Sequence, residues 1–160
     1  MYNIGDKIVY PMHGAGVIES IEEKEILGNK QSYYVVKIPT GEMKVMIPTK
    51  NVKGIGIRGI VSEEDADKIF SVLEDKSFNM SSNWNKRYRE NMVKIKSGDI
   101  NKVAEVVVGL MLRDRAKGLS TGERKMLNNA KQILISELVL VKNMQPTEIE
   151  GIIDNFLDLK

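Results

Sequence analysis

The sequence predicts an α+β protein in which a small antiparallel β-barrel precedes an all-helical domain of about five helices. Three observations support this class. Short β-branched or aromatic runs crowd residues 1–57, turn signals separate these runs, and a helical apolar period replaces the strand pattern from residue 58 onward. We therefore predict two domains, 1–57 and 58–160, which a chain of 160 residues can accommodate.

The first domain is predicted to contain short strands at 8–10, 17–21, 33–38 and 43–47. Glycine, proline and asparagine residues predict turns between them at 11–16, 27–30 and 39–42. Pro39 and Pro48 cannot donate ladder hydrogen bonds, so they are expected to mark strand ends. A sheet this small would expose its edges, and closure removes edges. We therefore expect an SH3-like or Tudor-like barrel.

The second domain shows five helix starts, each with a polar capping residue or a proline at the first helical position. The predicted starts are Ser62, Asn83 or Trp84, Asp99, Ser120 and Pro146. Ser120 and Glu123 have the spacing of a capping box. The polar segment 78–83 is predicted to be a loop between the first two helices.

Little in the sequence points to catalysis, so we predict no enzyme, no catalytic residue, no cofactor and no metal site. The chain has no cysteine, which excludes a thiol nucleophile and cysteine-ligated zinc. His13 is the only histidine and lies in a predicted turn with no nucleophile motif around it. The acidic cluster at 63–67 is better explained by the positive end of a helix dipole.

The chain shows no signal peptide and no apolar stretch near the ~18 residues that span a bilayer. We therefore expect a cytoplasmic protein that does not enter a membrane. The net charge is +2, but residues 84–131 hold twelve basic residues against five acidic ones, a local balance of +7. Such a concentration is typical of a polyanion partner. A solvated helix surface would give the same count, so the charge alone leaves both interpretations open.

Trp84, the only tryptophan, opens this basic segment and is followed by three basic side chains: Lys86, Arg87 and Arg89. Such a combination suits nucleic acid, because cations neutralise phosphates and an aromatic ring can stack on a base or wedge into a base step. The helical spacing of Trp84, Tyr88, Met92 and Ile95 is also that of a buried stripe. Periodicity alone slightly favours the core for Trp84.

Four motifs occur in order and cover nearly the whole chain: GDxIVYPxHGAG at 5–16, NWxxRY at 83–88, SGDxNKVAEVV at 97–107 and GLSxGExxML at 118–127. Together they resemble the CarD/CdnL family of bacterial transcription regulators. The first motif alone would not be specific, because the polymerase-interacting domain of transcription-repair coupling factor shares it. The set of four is specific.

The resemblance implies a Tudor-like domain that binds the RNA polymerase β subunit and a helical domain that binds promoter DNA at the upstream edge of the melted region. By position, Trp84 corresponds to the family's minor-groove wedge, which stabilises the open complex. The other DNA contacts that it implies are Asn83, Lys86, Arg87, Arg89, Arg124 and Lys125. Because a wedge favours an already unstacked junction, binding should follow melted structure more than sequence.

The polymerase-facing residues depart from the family in one respect. A basic residue is common in the strand after the Gly41-Glu42 turn, and the aligned position in this chain is Met46. Lys44 shares a face with Met46 only if no bulge intervenes, and Lys24 is the other expected basic contact. We expect a monomer associated with the nucleoid. The alternative is a protein-interaction adaptor whose helical domain docks a second protein in place of DNA.

Overall fold

The computed structural model describes residues 1–41, 43–50, 52–75 and 80–158. Within these residues an antiparallel sheet and one short helix are followed by five longer helices, which confirms the α+β class and the order of its parts. The elements are β1 (Lys7–Tyr10), β2 (Gly14–Ile26), β3 (Asn29–Lys37), β4 (Lys44–Pro48), α1 (Val52–Ile55), β5 (Arg58–Gly59), α2 (Glu63–Glu74), α3 (Trp84–Lys96), α4 (Ile100–Lys117), α5 (Thr121–Lys142) and α6 (Pro146–Asp158).

The sheet has the strand order β4-β3-β2-β1-β5, and its longest hairpin joins β2 to β3. Leu27 and Gly28 form the turn, with φ angles of 52° and 80°. Positive φ at both central residues matches the twist of the flanking strands. Both strands extend beyond their predicted bounds, because polar residues continue the pairing as far as Ile26 opposite Asn29. This part of the hairpin is exposed and carries no apolar alternation.

β2 begins earlier than the sequence predicted. Residues 14–16 were predicted to belong to a turn, but they pair with β1. At Gly16 a Cβ atom would lie 2.6 Å from both the carbonyl oxygen of Lys37 and the side chain of Val36. The glycine therefore allows a close approach to β3. β5 pairs with β1 and continues the sheet past residue 57.

The four predicted polar caps are confirmed by side-chain oxygens that accept backbone N–H bonds at 2.9–3.2 Å: Ser62, Asn83, Asp99 and Ser120. α6 begins at Pro146, as predicted. The one-turn helix α1 was not predicted. The predicted loop at 78–83 and turn at 39–42 lie partly outside the described residues. Within the described part of the chain, no helix is long and apolar enough to cross a membrane.

The sheet and the helices have separate apolar cores, and α5 connects them. The backbone N–H of Ala15 donates to the buried hydroxyl of Ser136 at 2.8 Å. Arg58 forms a bidentate pair with Glu137, with both nitrogen–oxygen distances at 2.8 Å. Glu137 also accepts the backbone N–H of Val61 at 2.9 Å. α5 is therefore the element through which the sheet is fixed to the helical core.

Candidate nucleic-acid interface

Trp84 is the first residue of α3, and its side chain is 43% exposed. Burial increases along the stripe that the sequence predicted: Tyr88 and Met92 are half-buried, whereas Ile95 is 1% exposed. The stripe is thus a core stripe at its C-terminal end and a surface feature at its N-terminal end. The structure therefore answers the question that periodicity left open, because Trp84 is not a core side chain.

Two contacts hold the indole ring at this surface. The ring stacks on Tyr88, with the centroids 5.0 Å apart and the planes inclined by 19°. Its Nε1–H donates to the hydroxyl of Ser120 at 3.0 Å. At Gly122 an added Cβ would be 3.7 Å from Trp84 Cζ2 and 3.9 Å from Tyr88 Cε2, so this position of α5 faces both rings. The indole is therefore oriented in the protein alone.

Arg87 lies in the interior, where it is 2% exposed. Its Nε and Nη2 atoms donate to the two carboxylate oxygens of Glu123 at 2.6 and 2.8 Å. Its Nη1 donates to the carbonyl oxygens of Ser81 and Ser82 at 3.0 and 3.3 Å. The prediction that Arg87 contacts DNA phosphates conflicts with this burial and is corrected: its donors already have protein acceptors, and a bidentate pair of this kind is strong.

The Arg87–Glu123 pair stays ionised because each partner favours the charged form of the other. The hydrogen bond from Arg87 lowers the pKa of the Glu123 carboxyl, and this outweighs the opposite effect of burial. The charge of Arg113 lowers that pKa further. The same hydrogen bond raises the pKa of Arg87. Ser120 forms its half of the predicted capping box, while the carboxylate of Glu123 is directed to Arg87.

The remaining predicted DNA contacts are all exposed: Asn83, Lys86, Arg89, Arg124 and Lys125. Lys86 lies 3.9 Å from Glu90, and Arg124 forms an ion pair with Asp114 at 2.8 Å. The bond between Trp84 and Ser120 brings the starts of α3 and α5 together, although the two residues are 36 positions apart. Arg87 and Glu123 both lie in the basic segment, so their mutual neutralisation leaves its balance of +7 unchanged.

The sequence prediction missed the two residues that contact and orient the indole of Trp84: Tyr88 and Ser120. Tyr88 was interpreted as a core position and Ser120 as a helix cap. The cap is confirmed, whereas Tyr88 is only half-buried, and neither interpretation included the contact with the indole. No local pattern could reveal the contact between Ser120 and Trp84, because it joins two separate helices.

The predicted polymerase contacts do not form a single cluster. The register between β3 and β4 is continuous, with Lys44 opposite Lys37 and Met46 opposite Val35, so Lys44 and Met46 share a face. Lys44 also forms an ion pair with Glu19 at 2.9 Å. Lys24 pairs with Gln31 in the exposed hairpin. Gln31 and Lys37, the residues of β3 that pair with Lys24 and Lys44, are six positions apart, which corresponds to about 20 Å.

Known protein families match both parts of the chain, and a solved structure is similar to part of it. The model of the CarD-like/TRCF RID domain matches residues 2–61, and that of the CarD C-terminal domain matches residues 68–154. YdeB of Bacillus subtilis (strain 168), by its name a candidate transcription factor, is 43% identical over 151 residues, covering 94% of this chain and 99% of that protein. The solution NMR structure of the 72-residue N-terminal domain of Myxococcus xanthus CarD is 30% identical, with a TM-score of 0.33, and covers 37% of this chain and 79% of that one.

Proposed function

This chain belongs to the CarD family of transcription factors, and from that membership we propose that it regulates transcription initiation by binding RNA polymerase and promoter DNA together. Its N-terminal sheet binds the polymerase β subunit. Trp84 wedges into the minor groove at the upstream edge of the transcription bubble and stabilises the open complex. The protein acts as a cytoplasmic monomer at the nucleoid and performs no chemistry itself.

The observation that carries the DNA-binding part is the exposed and already oriented indole of Trp84. One side of the ring stacks on Tyr88, and 43% of the side chain remains accessible. At the edge of a bubble a base step has already lost part of its stacking, so inserting a ring there costs less than in an intact duplex. A pre-oriented ring also loses little conformational freedom when it binds.

The hydrogen bond to Ser120 determines how the ring can contact DNA. Indole has a single N–H donor and no acceptor, and in this structure Ser120 accepts that donor. Trp84 therefore contacts DNA through its ring surface and does not donate to a base edge. Stacking of this kind tolerates any base, which supports recognition of the melted structure over a particular sequence.

Basic side chains around the wedge bind the sugar-phosphate backbone. Lys86, Arg89 and Lys125 are exposed near the starts of α3 and α5. Arg124 shares its charge with Asp114 and contributes less. Phosphate contacts of this kind supply affinity and position the wedge, but they carry no sequence information directly. Arg87 is buried and does not contact DNA; its guanidinium stabilises the loop before α3 by donating to the carbonyl oxygens of Ser81 and Ser82.

Polymerase binding is assigned to the outward face of β4, where Lys44 and Met46 lie side by side. β4 is an edge strand, so its outer backbone groups are accessible to a partner. Reversing one charge, as in Lys44→Glu, should weaken binding to polymerase and leave binding to forked DNA unchanged. Combining it with Glu19→Lys keeps the ion pair and serves as the folding control. If Lys44→Glu binds polymerase normally in both backgrounds, this face is not the contact.

Forked DNA tests the wedge directly. We expect the full-length protein to bind a forked duplex more tightly than a fully paired one, as measured by fluorescence anisotropy of labelled DNA. Trp84→Ala should lower the affinity for the fork roughly 10-fold, because a stacked base is typically worth about 1–3 kcal/mol. Val93→Ala, at a 68% exposed position of the same helix, is the matched control. Equal binding of both DNAs by the wild type would favour the adaptor alternative.

A further inference from the structure

Ser120 is exposed at the start of α5, and its hydroxyl serves two helices at once. It accepts the backbone N–H of Glu123 at 3.2 Å and so caps α5. It also accepts the Nε1–H of Trp84 at 3.0 Å, across the contact with α3. Resting on the function proposed above, we propose that Ser120 is a positioning residue for the Trp84 wedge: it sets the angle at which the indole meets DNA.

Trp84 needs such support because of its place in α3. The residue is the first of the helix, and its side chain is the least buried of its stripe. Tyr88 restrains the tilt of the ring by stacking, but a stacked pair can still rotate in its plane. A directed hydrogen bond from the ring edge to Ser120 removes this rotation, because hydrogen bonds weaken steeply away from linear geometry.

Ser120 can act in this way because the start of α5 is itself fixed. Glu123, in the first turn of α5, forms the buried bidentate pair with Arg87. Arg87 lies on α3, one turn after Trp84, so the ion pair joins the same two helix starts from inside. The serine hydroxyl, also 3.5 Å from a carboxylate oxygen of Glu123, joins them at the surface. The indole is thus attached to a firmly held acceptor.

The test uses the fact that Trp84 is the only tryptophan, so intrinsic fluorescence reports on this side chain alone. In the full-length protein, Ser120→Ala should increase quenching of tryptophan fluorescence by acrylamide and lower its anisotropy. It should also weaken binding to forked DNA roughly 2- to 10-fold, the range expected for one ordinary hydrogen bond. Ser120→Thr keeps a hydroxyl at this position and should restore values close to those of the wild type.

Ser62→Ala separates positioning from helix capping. Ser62 caps α2 with the same geometry, accepting the backbone N–H of Asp65 at 3.1 Å. Losing this cap should lower stability as much as losing that of Ser120. Because the described contacts of Ser62 do not include Trp84, its variant should leave quenching and fork affinity unchanged. If Ser62→Ala reproduces the changes of Ser120→Ala, those changes come from capping and the proposal is overturned.

A double variant shows whether Ser120 acts through Trp84. Ser120→Ala should have no further effect on fork affinity when Trp84 is already alanine, because coupled residues are not additive. An additional loss in that background contradicts the proposal, as does wild-type quenching in Ser120→Ala. If Trp84→Ala itself binds forked DNA like the wild type, the proposed function fails. The quenching measurement then still decides whether Ser120 positions the ring.

Discussion

Two arginine–glutamate pairs use carboxylates of α5, and they differ in what surrounds them. Arg87 and Glu123 are each about 2% exposed and lie at the starts of α3 and α5, where Trp84 and Ser120 also lie. Arg58 is 31% exposed, and its partner Glu137 is buried between the sheet and the helices. Both pairs are bidentate, with nitrogen–oxygen distances of 2.6–2.8 Å.

The two pairs therefore have different roles: the first supports the surface around Trp84, and the second holds the sheet to the helices. The inner pair, Arg87–Glu123, joins the starts of α3 and α5 beside Trp84, so replacing either residue should change how the protein contacts DNA. The outer pair, Arg58–Glu137, joins the sheet to α5. Arg58 also donates to the carbonyl oxygen of Gly98, and Glu137 also accepts the backbone N–H of Val61. Replacing either of these residues should weaken the attachment of the sheet to the helices and leave the surface around Trp84 unchanged. Four changes test this separation, from the largest expected effect to the smallest.

Arg87→Met should be the most destabilising change. It leaves the Glu123 carboxylate buried without its cation, and breaking a buried pair in this way costs about 3–5 kcal/mol. Urea unfolding followed by circular dichroism measures the loss. Adding Glu123→Leu removes the buried charge and should recover most of the free energy of unfolding. If the single variant loses less than about 1 kcal/mol, the pair does not support α3.

Arg58→Met should have a smaller effect, about 2–3 kcal/mol, because Glu137 keeps the N–H of Val61 as a donor. At temperatures where the variant is folded, its affinity for forked DNA and its tryptophan quenching should equal those of the wild type. Arg87→Met, studied under the same conditions, should change both. Loss of fork binding in Arg58→Met would show that the two pairs do not have separate roles.

Low pH should lower the free energy of unfolding by protonating Glu123 of the inner pair. The pKa of Glu123 is lower in the folded protein than in the unfolded chain, chiefly because Arg87 donates to it. Its stabilising effect is therefore complete above the unfolded value of about 4.3 and is lost as the pH falls below it. Glu123→Gln should make the free energy of unfolding less dependent on pH in this range. Equal slopes for the two proteins would contradict a lowered pKa of Glu123 in the folded state.

The smallest expected effect concerns the exposed cations. Replacing both Lys86 and Arg89 by alanine should flatten the dependence of log K on log salt by about 2, since each phosphate contact contributes about 0.9. Lys68→Ala, at an exposed position of α2, is the matched control. Fork affinities measured between 50 and 200 mM salt, roughly the range in which such slopes are resolved, test this prediction. An unchanged slope would remove the two side chains from the interface.

The sequence predicted the helical part of this fold well because its signals are local. Polar caps such as Ser62 and Asp99 precede apolar stripes and fix where helices begin. The length of the β2–β3 hairpin was underestimated, since the part nearest its turn, where Glu22 to Glu25 pair with β3, is polar and solvent-exposed. The role of Arg87 was mispredicted for a related reason: its partner Glu123 lies 36 residues away, and nothing near Arg87 shows that its charge is buried.

The lifetime of open promoter complexes tests the central claim most directly. Purified polymerase forms open complexes with no added protein, with the wild type or with Trp84→Ala, and the decay is followed after a competitor is added. The exposed, oriented indole predicts a longer lifetime with the wild type. With Trp84→Ala, which should still fold and bind polymerase, the lifetime should return to that of polymerase alone. If Trp84→Ala prolongs the lifetime as much as the wild type does, the wedge function is contradicted.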